Sequence, residues 1–237
     1  FKMTTLSIIV PLYNKEAGIS KTLDLIVKKC RDKNINHEII VIENESTDNS
    51  YSVTENYIRN TENISLHSSK KGLGNALKKG ISIASCDFIA FIPADFTFGE
   101  SELEYFSSKN FTLSNYTIGS RAHKDSFSES SFDRKIITFG FNFLKKIILN
   151  LNIKDTMGTF IIETKLAKKL SSESFSEQFF ITTEFIYRAI KENIEINEIP
   201  IINKVDENNQ TTVRYFYDSY DAFIDLMKLR KLEGKLK

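Results

Sequence analysis

Cysteine and histidine are scarce in this sequence of 237 residues, which contains two cysteines and three histidines. Cys30 and Cys86 lie far apart among apolar residues, a pattern typical of reduced, buried thiols in a cytosolic protein. The histidines, His37, His67 and His123, are scattered without the spacing of metal ligands. The sequence therefore argues against a disulfide framework and against a structural zinc site.

Long apolar runs and an excess of charge of one sign are also absent. No uninterrupted apolar run approaches the roughly 20 residues that span a bilayer, and the first residues lack the architecture of a signal peptide. We therefore expect a cytoplasmic protein, soluble or peripheral at the cytoplasmic face of a membrane. Lys and Arg number 32 and Asp and Glu 31, a net charge of +1. Such a chain does not gather nucleic acid through its overall field, so an anionic ligand needs a local site.

The apolar residues, 41% of the chain, are sufficient for a sizeable core. Four short apolar runs that predict buried parallel strands cover residues 6–11, 38–43, 64–67 and 87–92. Helical spacing between the runs predicts crossover helices, and the alternation predicts a doubly wound α/β sheet. We expect one domain over residues 1–215 and an amphipathic helical extension over residues 216–237.

Polar loops follow these strands at the edge where doubly wound sheets bind ligands. They read PLYNKE at 11–16, ENESTDNS at 43–50, KKGLGNA at 70–76 and PADFT at 93–97. Glu43 ends a buried strand and should face the crevice, where its carboxylate can accept hydrogen bonds from a nucleobase. Asp48 is better explained as a capping residue at the start of a helix.

Two of these loops have more than one interpretation. The glycines of KKGLGNALKKG allow close approach to an anion, and the following helix start offers free amides, which favours a phosphate-binding loop. The segment matches neither Walker A nor GxGxxG, so a glycine-rich connection with solvated lysines is an equal alternative. Asp95 in PADFT is either a turn residue or half of a metal site.

In order and spacing, the segments VPLYNKE, EIIVIENESTDNS, KKGLGNALKKGI, DFIAFIPADF, IGSR, DTMGTF, TTEF and EIPI resemble the family 2 inverting glycosyltransferases with the GT-A fold. Within that family they look most like the polyprenyl-phosphate (dolichyl-phosphate) sugar synthases. The resemblance covers about residues 6–214. It implies a mostly parallel, Rossmann-like GT-A sheet, a UDP or GDP sugar as donor, and a polyprenyl phosphate as acceptor.

The resemblance also implies the residues that bind the nucleotide sugar. They are Pro11, Tyr13, Glu16, Glu43, Lys71, Gly72, Gly74, Ala94, Asp95, Asp155 and Glu184. The ring of Tyr13 should lie near the base, and its position just past a strand suits stacking. Glu184 is assigned to the donor sugar or to the scaffold.

The Asp-x-Asp metal motif of the family is incomplete here. Pro93 stands at the first aspartate, only Asp95 remains, and Thr97 stands where these synthases supply a further polar ligand. Mg²⁺ and Mn²⁺ favour several oxygen ligands, so we expect weak metal binding or none. The charge of the leaving diphosphate then requires cations. The cations that qualify are Lys71, Arg121, Arg134 and Arg214.

Arg121 and Arg134 match residues that hold the acceptor phosphate in these synthases, and together with Asp95 they are the candidate catalytic residues. Arg214 is a third candidate for the acceptor, and a solvated surface pair is the alternative for Arg121 and Arg134. Beyond EIPI, the family's Arg and Lys are replaced by Asp206 and Thr212. These departures leave two alternatives: a glycan or another lipid as acceptor, and a protein of the same fold that binds a nucleotide sugar or glycan without turnover.

A long helix is predicted over residues 133–149. One of its faces carries Ile137, Phe141, Leu144 and Ile148, with lysines interspersed. It is either an interfacial helix that meets a membrane and guides a lipid, or a core helix with solvated lysines.

Overall fold

The computed structural model describes residues 4–59, 61–96, 99–108, 111, 114–128, 132–203 and 215–235. The strands in this part of the chain are β1 (Thr5–Leu12), β2 (Asn36–Glu43), β3 (Ile64–Ser68), β4 (Phe88–Phe91), β5 (Tyr116–Ser120), β6 (Phe127–Ser128), β7 (Phe160–Glu163), β8 (Asn197–Pro200) and β9 (Ile202–Asn203). The helices are α1 (Ile19–Asp32), α2 (Ser50–Ile58), α3 (Leu73–Ile83), α4 (Gly99–Ser107), α5 (Phe132–Leu149), α6 (Thr164–Glu173), α7 (Ile181–Lys191) and α8 (Tyr215–Lys235).

Seven of the described strands form one sheet in the order β3-β2-β1-β4-β7-β5-β8, and β6 pairs with β9 separately. Strands β3, β2, β1 and β4 are parallel, β7 is antiparallel to both of its neighbours, and β5 is parallel to β8. The prediction of a mostly parallel GT-A-type sheet is confirmed. The four predicted strands agree with β1 to β4 within two residues at each end.

The core lies on both faces of this sheet, because successive residues of a strand point to opposite sides. In β1, Ile9 belongs to the cluster under α3, α6 and α7, whereas Ile8 and Val10 belong to the cluster under α1 and α4. All three side chains are fully buried. Burial on both faces explains why these strands read as continuous apolar runs.

Helices α5 and α8 pack against each other at one side of the molecule. In α8, Ala222, Leu226 and Leu229 are buried in the same core cluster as α3, so the predicted C-terminal extension packs on the domain. The boundary at residues 215 and 216 stays a prediction. Among the described helices, none combines the length and the apolar character needed to cross a membrane.

The structure bears on both interpretations of α5, as a core helix and as a helix that meets a membrane. Phe141, Leu144 and Ile148 pack against the core, as expected of a core helix. Ile137 belongs to the helix, but its side chain lies outside the described part. A second apolar row, which the sequence analysis did not single out, is exposed to solvent and consists of Phe139, Phe143 and Ile147.

Candidate active site

The loops that follow the strands meet at the carboxyl edge of the sheet. Parallel β1, β2, β3 and β4 all end there. Antiparallel β7 begins at the same edge, because Phe160 pairs with Phe91 of β4 and with Ile118 of β5. The segment before Phe160 and the segment after Ser120 therefore join the loops of the first four strands.

The loop after β1 is tied to the loop after β2 by reciprocal hydrogen bonds. The Asn14 side chain accepts from the amide of Thr47 at 2.8 Å. The amide of Glu16 donates to Asp48 at 3.1 Å, and the Glu16 carboxylate accepts from the amide of Asn49 at 2.8 Å. Asp48 also accepts from the amide of Ser50, the first residue of α2, although it lies just before the N-cap residue Asn49 rather than in the first turn of the helix. These bonds fix the first loop as a unit, with Glu16 engaged in holding it.

Tyr13 and Lys71 bring the first and third loops together. The Lys71 ammonium donates to the Tyr13 hydroxyl at 2.7 Å and lies 4.5 Å from the centre of the ring. These residues are 58 positions apart in the sequence, and the family resemblance assigns both to the nucleotide site. Pro11 is half-buried on β1, just before this contact. An aromatic ring beside an ammonium can receive a planar base and an anion together.

Glu43 and Asn44 occupy the end of β2. Glu43 is buried, and its carboxylate accepts from the amide of Ser46, so it closes its own turn. Asn44 accepts from the amide of Gly72 and donates to the carbonyl of Gly72 at 3.0 Å, which ties β2 to the glycine loop. Sequence reasoning missed Asn44, although an amide directly after a buried strand was the available signal.

The glycines of the third loop are required by close packing. Gly72 has φ of 122°, in the region that favours glycine, and a Cβ there would collide with the carbonyl of Glu177. A Cβ on Gly74 would lie 2.5 Å from the carbonyl of Ser176. The segment at 176–177 thus takes the space above these glycines. This packing favours a glycine-rich connection over a phosphate-binding loop. Their assignment to nucleotide binding stays a prediction.

Asp95 lies in a tight turn after β4. The amide of Phe96 donates to the carbonyl of Pro93, and Phe96 has φ of 53°. The carbonyl of Ala94 accepts from the buried hydroxyl of Thr22 at 2.6 Å, which anchors the turn to α1. Asp95 is half-buried there, and Thr97 lies outside the described residues. Across the described ranges, no group of three or more His, Cys, Asp or Glu side chains is arranged to hold a metal ion.

Arg121, just past the end of β5, forms a partly buried ion pair with the buried Asp155. The guanidinium donates through Nε and Nη2 at 2.7 and 2.6 Å, and the amide of Arg121 donates to the same carboxylate at 2.8 Å. Burial alone would raise the pKa of Asp155, but hydrogen bonds and charge from Arg121 outweigh it and hold that pKa below its usual range. The family resemblance assigns Arg121 to the acceptor and Asp155 to the donor. In the structure the two residues pair with each other.

Of three other predicted residues, only Glu184 has a side chain within the described part of the chain. Glu184 in α7 is fully buried and accepts from the amides of Phe175 and Ser176 and from the Arg188 guanidinium, so its described contacts belong to the scaffold. Arg134 belongs to α5, and its side chain lies outside the described part. Arg214 lies outside the described residues, together with Asp206 and Thr212.

Comparison with known proteins identifies the family. Residues 7–170 match the family model described as Glycosyl transferase family 2. The chain belongs to this family. Two dolichyl-phosphate beta-glucosyltransferases, from Dictyostelium discoideum and Drosophila melanogaster, are each 28% identical to it over 83% of the chain. The chain spans 65% and 66% of the lengths of these family 2 relatives, just under two thirds.

The fold of this family 2 chain also has solved counterparts. One is glucosyl-3-phosphoglycerate synthase from Mycobacterium tuberculosis, crystallised in complex with Mn²⁺, UDP and phosphoglyceric acid. The TM-score is 0.70 at 16% identity, over 96% of this chain and 78% of that chain. At this identity the likeness establishes the fold.

Proposed function

We propose that this chain is an inverting glycosyltransferase that moves a sugar from a UDP or GDP sugar to a polyprenyl phosphate. The observation that carries the proposal is membership of family 2 together with the 28% identity to dolichyl-phosphate beta-glucosyltransferases over 83% of the chain. The convergence of the predicted loops at one edge of the sheet supports a single crevice for both substrates.

The donor nucleotide fits the side of the crevice that β1, β2 and β3 form. Tyr13 offers a ring for the base, and Lys71, 2.7 Å from its hydroxyl, offers a positive charge for the diphosphate. Glu43 lies at the end of the neighbouring strand, and its carboxylate suits an amino or imino group of either base. This arrangement supports a nucleoside diphosphate as ligand without choosing between uracil and guanine.

Transfer requires little proton chemistry from the protein. A phosphate oxygen of the acceptor attacks the anomeric carbon, and the bond from that carbon to the diphosphate breaks on the opposite face. The nucleoside diphosphate leaves with the electron pair, and the configuration at the carbon is inverted. The acceptor phosphate is already ionised near neutral pH, so no strong general base is needed. The protein must stabilise the charge that grows on the leaving group, which we assign to Lys71 and to Arg121 and Arg134.

The described residues offer few ligands for Mg²⁺ or Mn²⁺, so a bound cation would depend mainly on Asp95, the diphosphate and water. Asp95 supplies one carboxylate, Pro93 has no side-chain oxygen, and these cations favour several oxygen ligands. Asp95 is therefore assigned to orienting the donor sugar or its diphosphate.

Binding and transfer assays test the proposal. UDP and GDP binding is measured by calorimetry with and without Mn²⁺, and transfer from UDP and GDP sugars is measured with dolichyl and undecaprenyl phosphate as acceptors. We expect Asp95→Ala to lower the transfer rate about a hundredfold, whereas the matched control Asp32→Ala, in the exposed Lys28 pair on α1, should not.

The remaining outcomes of these binding and transfer assays would each change one part of the proposal. An unchanged rate in Asp95→Ala would show that this residue only forms the turn. Nucleotide binding without turnover on any donor and acceptor would favour a binding protein, transfer to a glycan or another lipid would replace the acceptor, and absence of nucleotide binding would refute both classes.

The lipid acceptor leads us to propose peripheral contact of a cytoplasmic protein with a membrane. The exposed row Phe139, Phe143 and Ile147 on α5 supports this, because three apolar side chains at a spacing of four residues lie on one face of the helix.

A further inference from the structure

Lys145 is a lysine that the proposed reaction does not use, yet it is buried almost completely. It lies near the end of α5, with a relative exposure of 1%. Burial lowers the pKa of its ammonium to about 8, against the opposing charges of Asp155 and Glu198. Burying an ammonium is costly unless oxygen acceptors surround it. Its contacts therefore indicate what this lysine does.

In the described part of the chain, the hydrogen bonds of this ammonium all go to one short segment that follows α5. It donates to the carbonyls of Ile153 and Lys154 at 3.0 and 3.4 Å and to the hydroxyl of Thr156 at 2.8 Å. The Thr156 hydroxyl lies 2.8 Å from that of Thr183 on α7. The segment 153–156 is thus held from two helices.

Asp155 lies inside this clamped segment, and its side chain turns toward the end of β5. There it accepts the amide and the guanidinium of Arg121, 34 residues away in the sequence. Little space exists for adjustment, because a Cβ on the neighbouring Gly158 would lie 2.5 Å from the carbonyl of Gly119. A shift of the segment would therefore move the carboxylate away from the arginine.

We propose that Lys145 is a positioning residue, which holds the segment 153–156 so that Asp155 fixes Arg121 at the crevice. The kinetic part of this inference rests on the proposed function, and the structural part does not. Positioning matters because small displacements of a group at a reacting centre lower the rate strongly.

The amide of Arg121 gives a direct measurement, because it donates to the Asp155 carboxylate that the segment 153–156 carries. Hydrogen exchange at this amide is followed by NMR in the full chain. We expect Lys145→Met to raise the exchange rate at Arg121 about tenfold or more. The matched control is Lys146→Met, because Lys146 is the next residue of α5 and is exposed.

A second variant covers the case in which Lys145→Met does not fold. Thr156→Val removes one acceptor of the ammonium at nearly constant volume, and we expect a smaller rise of exchange at the same amide. Exchange at Arg121 within about twofold of wild type, in whichever of the two variants folds, would overturn the proposal. Faster exchange at 153–156 alone would overturn it also, because it would show a local structural role.

The transfer assay adds a readout that a merely structural role would not move. We expect Lys145→Met to lower kcat about tenfold with the donor KM within about threefold, because the nucleotide is bound by the loops of β1 to β3. A rise in donor KM at unchanged kcat would contradict positioning of the reacting groups. If wild type shows no transfer, the proposed function fails, and the exchange rate at Arg121 still decides the role of Lys145.

Discussion

Glu102 on α4 predicts how the stability of this protein depends on pH. It is fully buried, and its Oε1 accepts from the hydroxyl of Thr159. Its Oε2 is buried with no hydrogen-bond partner in the described part of the chain. Burial raises the pKa of this carboxyl from 4.5 to about 7. The folded protein therefore keeps Glu102 protonated at a pH where the unfolded chain has ionised it.

The sign and size of the effect follow from linkage between protonation and folding. Because the folded pKa is the higher one, the contribution of Glu102 to stability is full below pH 4.5 and declines until the pH has risen through about 7. Each pKa unit corresponds to about 1.4 kcal/mol, so this residue should remove about 2–3 kcal/mol from the free energy of unfolding between pH 5 and pH 8.

The perturbation that tests this is Glu102→Gln, which keeps the shape and the Oε1 acceptor and removes the charge. Urea unfolding of wild type and variant is measured at half-unit steps from pH 5 to pH 8. We expect the variant to gain stability relative to wild type as pH rises, by about 2–3 kcal/mol in total. The control is Glu195→Gln, since Glu195 is an exposed glutamate. If the curves of wild type and Glu102→Gln run parallel, the reasoning about this buried carboxyl is wrong.

Three further predictions concern packing, the ion pair and the surface. Gly74→Ala should destabilise the fold by about 1–3 kcal/mol in urea unfolding, because a Cβ there meets backbone at 2.5 Å; equal stability would contradict that packing. Asp155→Asn should cost about 2–3 kcal/mol, since it removes the charge of a buried carboxylate that accepts three hydrogen bonds from Arg121; a loss below about 1 kcal/mol would contradict the pair. Replacing Phe143 and Ile147 by Ser should lower cosedimentation with 3:1 phosphatidylcholine and phosphatidylglycerol vesicles at least about fivefold; unchanged cosedimentation would refute membrane contact through α5.

The sequence determined the alternating half of the fold. Burial on both faces of parallel strands produces continuous apolar runs, and helical spacing marks the crossovers, so β1 to β4 could be placed within two residues. The same reasoning located the loops that matter, because the carboxyl ends of parallel strands share one edge. The co-ordered segments then indicated family 2, which the match over residues 7–170 established.

Only the tertiary structure decided which side chains meet. Arg121 pairs with Asp155 and Lys71 with Tyr13, over separations of 34 and 58 residues, and no periodicity in the sequence encodes such contacts. The tertiary structure also decided the antiparallel direction of β7, because that direction depends on where the chain returns to the sheet. From the sequence, Asp95 is either a turn residue or half of a metal site beside the crevice. The structure places Asp95 in a turn anchored to α1, and it brings Arg121 and Asp155 together at the same edge of the sheet, because the buried Asp155 carboxylate accepts hydrogen bonds from both the amide and the guanidinium of Arg121.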